Sequence, residues 1–418
     1  MGTDVRNPAD RRRYPSRWPM RRGKELFKEI DERSPDGSEE LLSVSHITGI
    51  TPRSEKNVTM FQSESLVGYK ICHRNDIAAN TMWTWQGAIG VSAYDGVISP
   101  SYNVYRQRQD FYNPRYLDFL LREPALVDVY DSLSTGIRPS RRRLYPEEFL
   151  TIRFPVPPRD EQDRIVSFLD YKSSAIDSLV SLRNKQICEL DEIKREIINR
   201  TVTRGLTGLS AEWKTRRMRE CFSFRKGLSI TKDDLEPLGV PVISYGQIHS
   251  KQNSGVGVTD ELVRFVNESY LQSDRSCVVE QGDFIFADTS EDIPGCGNCV
   301  YVDNAKTTFA GYHTVIAHPV DVQSNKYFAY FFLSAAWREQ VWRSVNAVKV
   351  FSVTQEILKD TRLLIPSSIE QREIVAYLDE KCAAIDGAIA NKRKSIEELT
   401  ALKSRIITDA VTGRMEVE

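Results

Sequence analysis

One stretch of this chain constrains the fold more than any other, because the chain contains it twice. Residues 159–202 carry apolar side chains at helical spacing, directly after two prolines, which can precede a first helical turn but cannot continue one. Residues 368–411 repeat this stretch without a gap, and about two positions in five are identical. The pattern predicts two long helices, each with one narrow apolar stripe.

Each stripe needs a partner, and the nearest equivalent stripe is the other copy. We therefore predict that the two helices pack as an antiparallel coiled coil. The packing residues in the first helix are Ile165, Leu169, Ile176, Val180, Ile187 and Leu190, continued by Ile193 and Ile197. Those in the second helix are Ile374, Leu378, Ile385, Ile389, Ile396 and Leu399. A capping box is predicted from Ser368 to Gln371. Since Arg159 stands at the position of Ser368, the first helix is expected to begin on Asp160.

The repeat extends beyond the helices. The segment from Trp18 to Phe27 resembles the segment from Trp213 to Phe222, and short β-rich runs broken by Gly and Asn follow each of them. The sequence therefore predicts an α+β fold with a pseudo-two-fold internal repeat, in which the two helices join two mixed α/β globular regions. The predicted boundaries are a basic tail at 1–16, globular regions at 17–156 and 207–365, and helices at 157–206 and 366–413.

Composition narrows the class of protein. A chain of 418 residues predicts more than one domain, and 40% hydrophobic with 28% charged residues is typical of a soluble globular protein. No apolar run approaches the roughly 20 residues that span a bilayer. Seven scattered cysteines and no secretory leader indicate the cytoplasm. Because the formal net charge is −1, any nucleic-acid surface must be a local patch.

Several strings look like catalytic motifs. Asn113–Tyr116 lacks the second proline of an adenine methyltransferase loop, so a helix entry is favoured. Glu192 and Lys194 have a nuclease-like spacing, but their place in the long helix favours a solvated helix face. Cys296 and Cys299 form a lone C-x-x-C, and a structural zinc wants four ligands. No phosphate-binding loop of the P-loop type is present. We therefore predict no catalytic residue and no metal site.

The repeated pattern resembles a known family, the specificity subunits of type I restriction-modification enzymes. The segments that carry the resemblance are Phe154–Gln162, Leu364–Gln371 and the Ala-Ile-Asp triplets at 175–177 and 384–386. The resemblance implies that each globular region is a target recognition domain, which reads one half of a split site in double-stranded DNA. It also implies that the helices act as a ruler and dock two methyltransferase subunits, and that motor-nuclease subunits complete the enzyme.

The same resemblance implies that this chain binds no cofactor, and that S-adenosylmethionine, ATP and Mg belong to the partner subunits. A non-catalytic specificity subunit is therefore expected. Two alternatives stay open at this point. One is a specificity subunit of a related methyltransferase-nuclease system, and the other is a coiled-coil adaptor whose globular halves bind protein. A helix of about 40 residues is roughly 60 Å long, so antiparallel packing predicts separated domains and a bipartite, gapped target.

Candidate DNA contacts lie in loops. The most basic loop carries Arg138, Arg141, Arg142 and Arg143, and arginine suits both phosphate and guanine. Its counterpart in the second half is far less basic and offers Lys349. Other polar or aromatic candidates in the first half are Thr81, Trp83, Trp85 and Gln86. Those in the second half are Tyr245, Gln247, Lys251, Asn253 and Thr289, beside carboxylates at Asp288, Glu291 and Asp292. A structural or solvent-exposed role is the alternative for each of them.

Overall fold

The computed structural model describes residues 13–55, 65–136, 142–208, 213–320, 325–346 and 350–417. The chain forms two compact units. Unit 1 comprises Met1–Leu182 and Lys394–Glu418, and unit 2 comprises Arg183–Arg393. Each long helix therefore contributes one half to each unit. Within the described ranges, no helix combines the length and apolar character needed to cross a membrane.

The described residues of unit 1 form ten strands, four short helices and part of each long helix. The strands are β1 (Met20–Arg22), β2 (Phe27–Ile30), β3 (Leu42–Ser45), β4 (Gly49–Pro52), β5 (Lys70–Cys72), β6 (Ile77–Ala79), β7 (Ile89–Val91), β8 (Gly96–Ile98), β9 (Asn103–Gln107) and β10 (Arg153–Pro155). The helices are α1 (Gly23–Leu26), α2 (Pro114–Leu121), α3 (Pro124–Leu133), α4 (Pro146–Phe149) and the first half of α5 (Arg159–Arg204).

The described part of unit 2 repeats this order and has two more strands than the described part of unit 1. The strands are β11 (Lys214–Arg217), β12 (Phe222–Lys226), β13 (Val240–Ile243), β14 (Arg264–Val266), β15 (Val278–Val279), β16 (Phe284–Ala287), β17 (Thr289–Ser290), β18 (Cys299–Tyr301), β19 (Thr308–Ala310), β20 (Thr314–Pro319), β21 (Phe351–Ser352) and β22 (Arg362–Ile365). The helices are α6 (Tyr245–Ile248), α7 (Tyr270–Ser273), α8 (Asn325–Leu333), α9 (Ala335–Trp342), α10 (Gln355–Asp360) and the first half of α11 (Ser368–Val411).

The main sheets of the two units have the same strand order. In unit 1 the order is β2-β9-β6-β7, and in unit 2 it is β12-β20-β16-β18, with antiparallel neighbours throughout. Each unit also pairs the strand that precedes its main sheet with the strand that leads into its long helix, β1 with β10 and β11 with β22. The predicted α+β class and internal repeat are confirmed.

The second sheets are equivalent too. In unit 2 the order is β14-β13-β19-β15, and β13 and β19 run parallel. In unit 1 the pairs β3-β4 and β5-β8 occupy the matching places, and a single parallel bridge between Leu41 and Val97 replaces the parallel pairing.

Local sequence explains why the short helices begin where they do. Asn113 caps α2, since its side-chain oxygen accepts from the amide of Arg115 at 2.8 Å, and Pro114 follows at the first helical position. Glu123 caps α3 in the same way by accepting from the amide of Ala125 at 2.9 Å. These helices pack their apolar faces on the main sheet of unit 1, around a core that includes Tyr116.

The long helices run antiparallel within each unit. In unit 2, Lys194 contacts Asp386 at 2.7 Å and Lys392 contacts Gln186 at 2.8 Å, so residues later in α5 lie beside residues earlier in α11. In unit 1, Lys403 contacts Asp177 at 2.7 Å. The antiparallel pairing predicted from the apolar stripes is confirmed.

Burial along the stripes differs from the regular pattern of the sequence in one respect. The buried members are Ile165, Leu169, Ile176, Ile374, Leu378 and Ile389. The half-buried members are Val180, Ile187, Leu190, Ile197, Ile385, Ile396 and Leu399. Ile193, however, is 49% exposed, whereas Ile198 is buried in the globular core of unit 2. An α-helix drifts relative to a seven-residue repeat, so the buried face rotates toward the globular core at this end of α5.

The predicted capping box at Ser368 is wrong by one residue. Helix α11 begins at Ser368, and the cap is Ser367, whose hydroxyl accepts from the amide of Glu370 at 3.3 Å. The side chain of Gln371 instead donates to the carbonyl of Pro366 at 3.0 Å. Helix α5 begins at Arg159 rather than Asp160.

A tryptophan holds the helix ends together in each unit. In unit 1 the indole N–H of Trp18 donates to Glu161 at the start of α5 at 3.0 Å. A Cβ on Gly413, which follows α11 with φ +68°, would lie 2.8 Å from the same indole ring. Glycine at this position ends the helix and leaves room for the ring.

Unit 2 has the equivalent contact with the two long helices exchanged. We call these contacts of Trp18 and Trp213 the tryptophan clamps. The indole of Trp213 donates to Glu370 at the start of α11 at 2.9 Å. Gly205 follows α5 with φ +71°, and a Cβ added at this position would lie 3.2 Å from the indole ring of Trp213. Each clamp therefore joins the beginning of one long helix to the end of the other.

Candidate nucleic-acid interface

The exposed loop after the strand β6 in unit 1 presents two tryptophans. Trp83 and Trp85 stack with ring centroids 6.1 Å apart, and Trp83 is 44% exposed. The indole of Trp85 donates to the carbonyl of Met82 at 2.8 Å, which fixes its ring. The guanidinium of Arg142 lies 5.4 Å from the Trp85 ring centroid. We call Trp83, Trp85 and Arg142 the tryptophan platform.

The base of this loop is held by the protein interior. Thr81 is buried, its hydroxyl donates to the carbonyl of Ser101 at 2.6 Å, and its own carbonyl accepts from the amide of Leu144 at 3.2 Å. Gln86 is exposed at the end of the loop. Thr81 therefore has a structural position, whereas Trp83 and Gln86 face solvent.

The arginine loop closes beside the platform. A pair of backbone hydrogen bonds between Thr135 and Arg143 closes it, at 2.9 and 3.0 Å. Arg142 forms an ion pair with Asp131 at 2.6 Å. Arg138 and Arg141 lie outside the described residues. The ion pair with Asp131 and the contact with the Trp85 ring hold the Arg142 guanidinium in place, so a flat aromatic surface lies next to the arginine loop.

In unit 2, the loop after β16 forms a closed ring of polar contacts instead. The imidazole Nε2 of His249 contacts the carbonyl of Thr289 at 2.8 Å, and the Thr289 hydroxyl donates to Asp288 Oδ1 at 2.6 Å. The same carboxylate oxygen contacts Nδ1 of His313 at 3.2 Å. The Tyr245 ring lies edge-on to both histidines, 6.2 Å from His249 and 5.5 Å from His313. We call these five residues the Asp288–His313 ring.

This ring occupies the same place in the topology as the tryptophan platform. Asp288 directly follows β16, and Asn80 directly follows β6. The carbonyl of Asp288 accepts a hydrogen bond from the amide of Val353 at 2.7 Å, and in unit 1 the carbonyl of Thr81 accepts one from the amide of Leu144. The two units thus present an aromatic and cationic surface in one case and a histidine, tyrosine and carboxylate surface in the other.

The remaining candidates of unit 2 differ in how their side chains are held. Gln247 accepts from the amide of Ser244 at 3.2 Å, and the Asn253 amide donates to two carbonyls at 2.8 and 3.0 Å, so internal hydrogen bonds hold both. Lys251 is exposed beside them. Lys349 lies outside the described residues. DNA contact by any of these residues stays a prediction.

Sequence reasoning did not select His249, Tyr312 or His313 as binding residues. They are far apart in the chain, and only the parallel pairing of β13 with β19 brings α6 beside the Gly311–His313 turn. One local signal was available, since this turn leads directly into β20 and loops held by rigid strands often carry function.

The motif-like strings have structural roles. The side-chain amide of Asn113 donates to Asp163 at 2.7 Å in addition to capping α2. Lys194 makes the ion pair with Asp386 described above. Burial raises the pKa of Cys299 to about 12 and also raises the pKa of Cys296, which opposes the thiolate that a metal needs. Within the described ranges, no three His, Cys, Asp or Glu side chains gather in a way that would hold a metal.

Comparison with known proteins shows what the chain is similar to. The family model described as "Type I restriction modification DNA specificity domain" matches residues 210–401. The type I restriction enzyme MjaVIII specificity subunit of Methanocaldococcus jannaschii is 22% identical, and the alignment covers 97% of this chain and 95% of that protein.

Solved structures share the fold. A chain from work on the "structural basis underlying complex assembly and conformational transition of the type I R-M system" has a TM-score of 0.71 at 16% identity, over 96% of this chain and 99% of that chain. The HsdS subunit from Thermoanaerobacter tengcongensis has a TM-score of 0.52 at 18% identity, over 96% of this chain and 98% of that chain. Over residues 210–401 the chain is therefore similar to the specificity domain of type I restriction-modification systems, and over most of its length it shares the fold of these solved structures.

Proposed function

We propose that this chain is the DNA-reading subunit of a type I restriction-modification complex, and that each unit reads one half of a bipartite, gapped site in double-stranded DNA. The observation that carries the proposal is the repeated frame with two different exposed surfaces. The two main sheets have the same strand order and the two clamps are equivalent, whereas the loops after β6 and β16 carry different side chains. Two related readers with different targets have this combination of features.

The surface of unit 1 suits contact with the DNA backbone. Arginine beside aromatic rings provides both charge for phosphate and a flat face for contact. Because the chain as a whole carries a net charge of −1, this local arrangement is the kind of patch that DNA binding requires.

Protein partners are part of the proposal. We propose that two methyltransferase subunits dock on the long helices and that motor-nuclease subunits join them. Tyr171, Leu179 and Leu182 support docking, because they are exposed large apolar side chains that follow one another along a single face of α5 in unit 1.

We further propose that the chain is not itself catalytic, and that S-adenosylmethionine, ATP and Mg are bound by the partner subunits. The support is chemical. The string at Asn113 is used as a helix cap, Lys194 is used as a helix–helix ion pair, and the two C-x-x-C thiols are buried.

Methylome sequencing tests the proposal. Cells that supply the methyltransferase partner are compared with and without this chain. We expect a methylated motif that appears only with the chain and that has two specified parts separated by unspecified bases. The absence of any chain-dependent motif would contradict the proposed function.

A further inference from the structure

We propose that His313 is a specificity-determining residue of unit 2, and that its Nε2 atom accepts a hydrogen bond from the exocyclic amine of an adenine or a cytosine in the major groove. The inference rests on the proposed function and adds to it the chemistry of one contact. Its basis is the geometry of the Asp288–His313 ring.

The ring leaves one histidine available to a ligand. The side chains of His313 and Asp288 are 59% and 38% exposed, whereas His249 is engaged through both ring nitrogens, with the Thr289 carbonyl at 2.8 Å and the Asn298 amide at 3.2 Å. Nδ1 of His313 faces Asp288, and its Nε2 has no hydrogen-bond partner within the described residues. His313 is therefore the member of the ring that points a free polar atom at solvent.

Asp288 determines which hydrogen bonds that atom can make. A carboxylate accepts a hydrogen bond, so Nδ1 of His313 carries the proton in the neutral imidazole and Nε2 is left as an acceptor. Each base pair in the major groove offers one exocyclic amine, on adenine N6 or cytosine N4. An acceptor at His313 therefore distinguishes which strand carries the amino base.

The backbone of His313 is held in a conformation that residues other than glycine rarely adopt. Its φ is +53°, and within the described residues only Asn75 shares a positive φ among non-glycine residues. Two contacts fix this conformation, because the His313 carbonyl accepts from the amide of Asp288 at 3.1 Å and the Tyr312 ring lies edge-on at 6.1 Å. Conformations of this kind concentrate at functional sites, where surrounding contacts hold them.

Unit 1 has a different residue at the same place. His313 directly precedes β20, and Tyr102 directly precedes β9. The Tyr102 hydroxyl faces inward, where it accepts from the side-chain amide of Asn80 at 2.9 Å. The exposed polar atom is thus specific to unit 2, and a change at His313 should affect one half of the target.

The test replaces His313 with glycine in the full chain and sequences the methylome with the methyltransferase partner present. Glycine adopts a φ of +53° without steric cost, so the substitution removes the imidazole and relieves the backbone. We expect discrimination at one position in one half-site to fall by about tenfold to a hundredfold, with the other half-site unchanged.

Three further variants separate base reading from a structural role. His313→Asn retains a residue that tolerates positive φ and should also relax that position. Asp288→Asn allows an amide to donate to Nδ1, which places the proton on Nε2, so the same position should change or broaden its preference. Glu268→Ala, at an exposed position next to β14, is the matched control and should leave the motif unchanged.

Two results would overturn the inference alone. One is an unchanged motif in His313→Gly at normal methylation, and the other is a uniform loss of methylation with no change in either half-site. A wild-type chain that yields no gapped motif would instead overturn the proposed function, so the two failures are distinguishable.

Discussion

The same tyrosine contact closes both units. In unit 1 the hydroxyl of Tyr116 on α2 donates to the carbonyl of Val411 at 3.0 Å, and in unit 2 the hydroxyl of Tyr327 on α8 donates to that of Val202 at 3.2 Å. In each case a helix of the globular region binds the end of a long helix. Frame contacts of this kind are repeated even where the intervening sequence differs.

The exposed surfaces of the two units follow no such rule. Unit 1 has Trp83 and Trp85 beside Arg142, and unit 2 has His313 and Asp288 in a ring of polar contacts. The comparison indicates that the repeat preserves what joins the helices to the sheets and leaves the loop surfaces free to differ.

The largest effect is expected from a fragment of residues 1–208. It lacks the half of α11 that completes unit 1, so its apolar stripe and the Tyr116 hydroxyl lose their partners. A second copy supplies α5, whose Val202 is equivalent to Val411, and we therefore expect a two-fold homodimer. Light scattering measures the mass, and methylome sequencing should give a gapped palindrome.

A fragment ending at Leu182 is the matched control. It lacks the second half of α5 and therefore cannot replace α11 in a partner copy, so a defined dimer is not expected. A monomeric fragment of residues 1–208, or a dimer that still directs methylation to the asymmetric site, would contradict the equivalence of the frames.

The next effect concerns the tryptophan clamps. Trp18→Phe and Trp213→Phe each remove an indole hydrogen bond to a carboxylate, and we expect each to lower the free energy of unfolding by roughly 1.5–3 kcal/mol. Chemical denaturation with a spectroscopic signal measures the loss. Destabilisation by only one of the two variants would show that the clamps are not equivalent.

The arginine loop should have a smaller effect on stability and a clear effect on binding. Changing Arg141, Arg142 and Arg143 together to Ala should weaken DNA binding and flatten its dependence on salt, because fewer phosphates are neutralised. Binding titrations between low and moderate salt measure both quantities. Lys251→Ala in unit 2 is the comparison, and an unchanged salt slope in the triple variant would refute phosphate contact by this loop.

The smallest effect is expected at the ion pairs between the long helices. Lys194–Asp386 and Lys403–Asp177 occupy equivalent positions in the repeat, at 2.7 Å each. The carboxylates are more than half exposed, so replacing either lysine with Ala should cost no more than about 1 kcal/mol. The denaturation midpoints should shift equally in the two lysine variants. Unequal shifts would show that the two ion pairs are not equivalent.

The sequence predicted the frame well because each frame element has a local signal. Helices α5 and α11 follow from the repeated stripe, and α2 follows from the cap and proline at Asn113–Pro114. The predictions were wrong in small respects where tertiary contacts determine the helix cap or the burial of a side chain. Ser367 rather than Ser368 caps α11, and Ile193 is exposed because the globular core of unit 2 takes Ile198 instead.

The binding surfaces were only partly predictable. The tryptophan platform includes Trp83 and Trp85, which lie close together in the sequence and were selected from it. The Asp288–His313 ring joins residues from three segments that are distant in the sequence, so its geometry depends on strand order and has no local pattern. Gln247 has a side chain that can hydrogen-bond to a base, but the structure shows that its side-chain oxygen already accepts from the amide of Ser244.

Methylome sequencing of two variants side by side shows whether each unit reads its own half of the target. Trp83→Ala alters only the surface of unit 1, and His313→Gly alters only the surface of unit 2. We predict that both variants keep the gap, that each relaxes one half-site, and that the two half-sites differ. Relaxation of the same half-site by both variants, or of both half-sites by either one, would contradict the account.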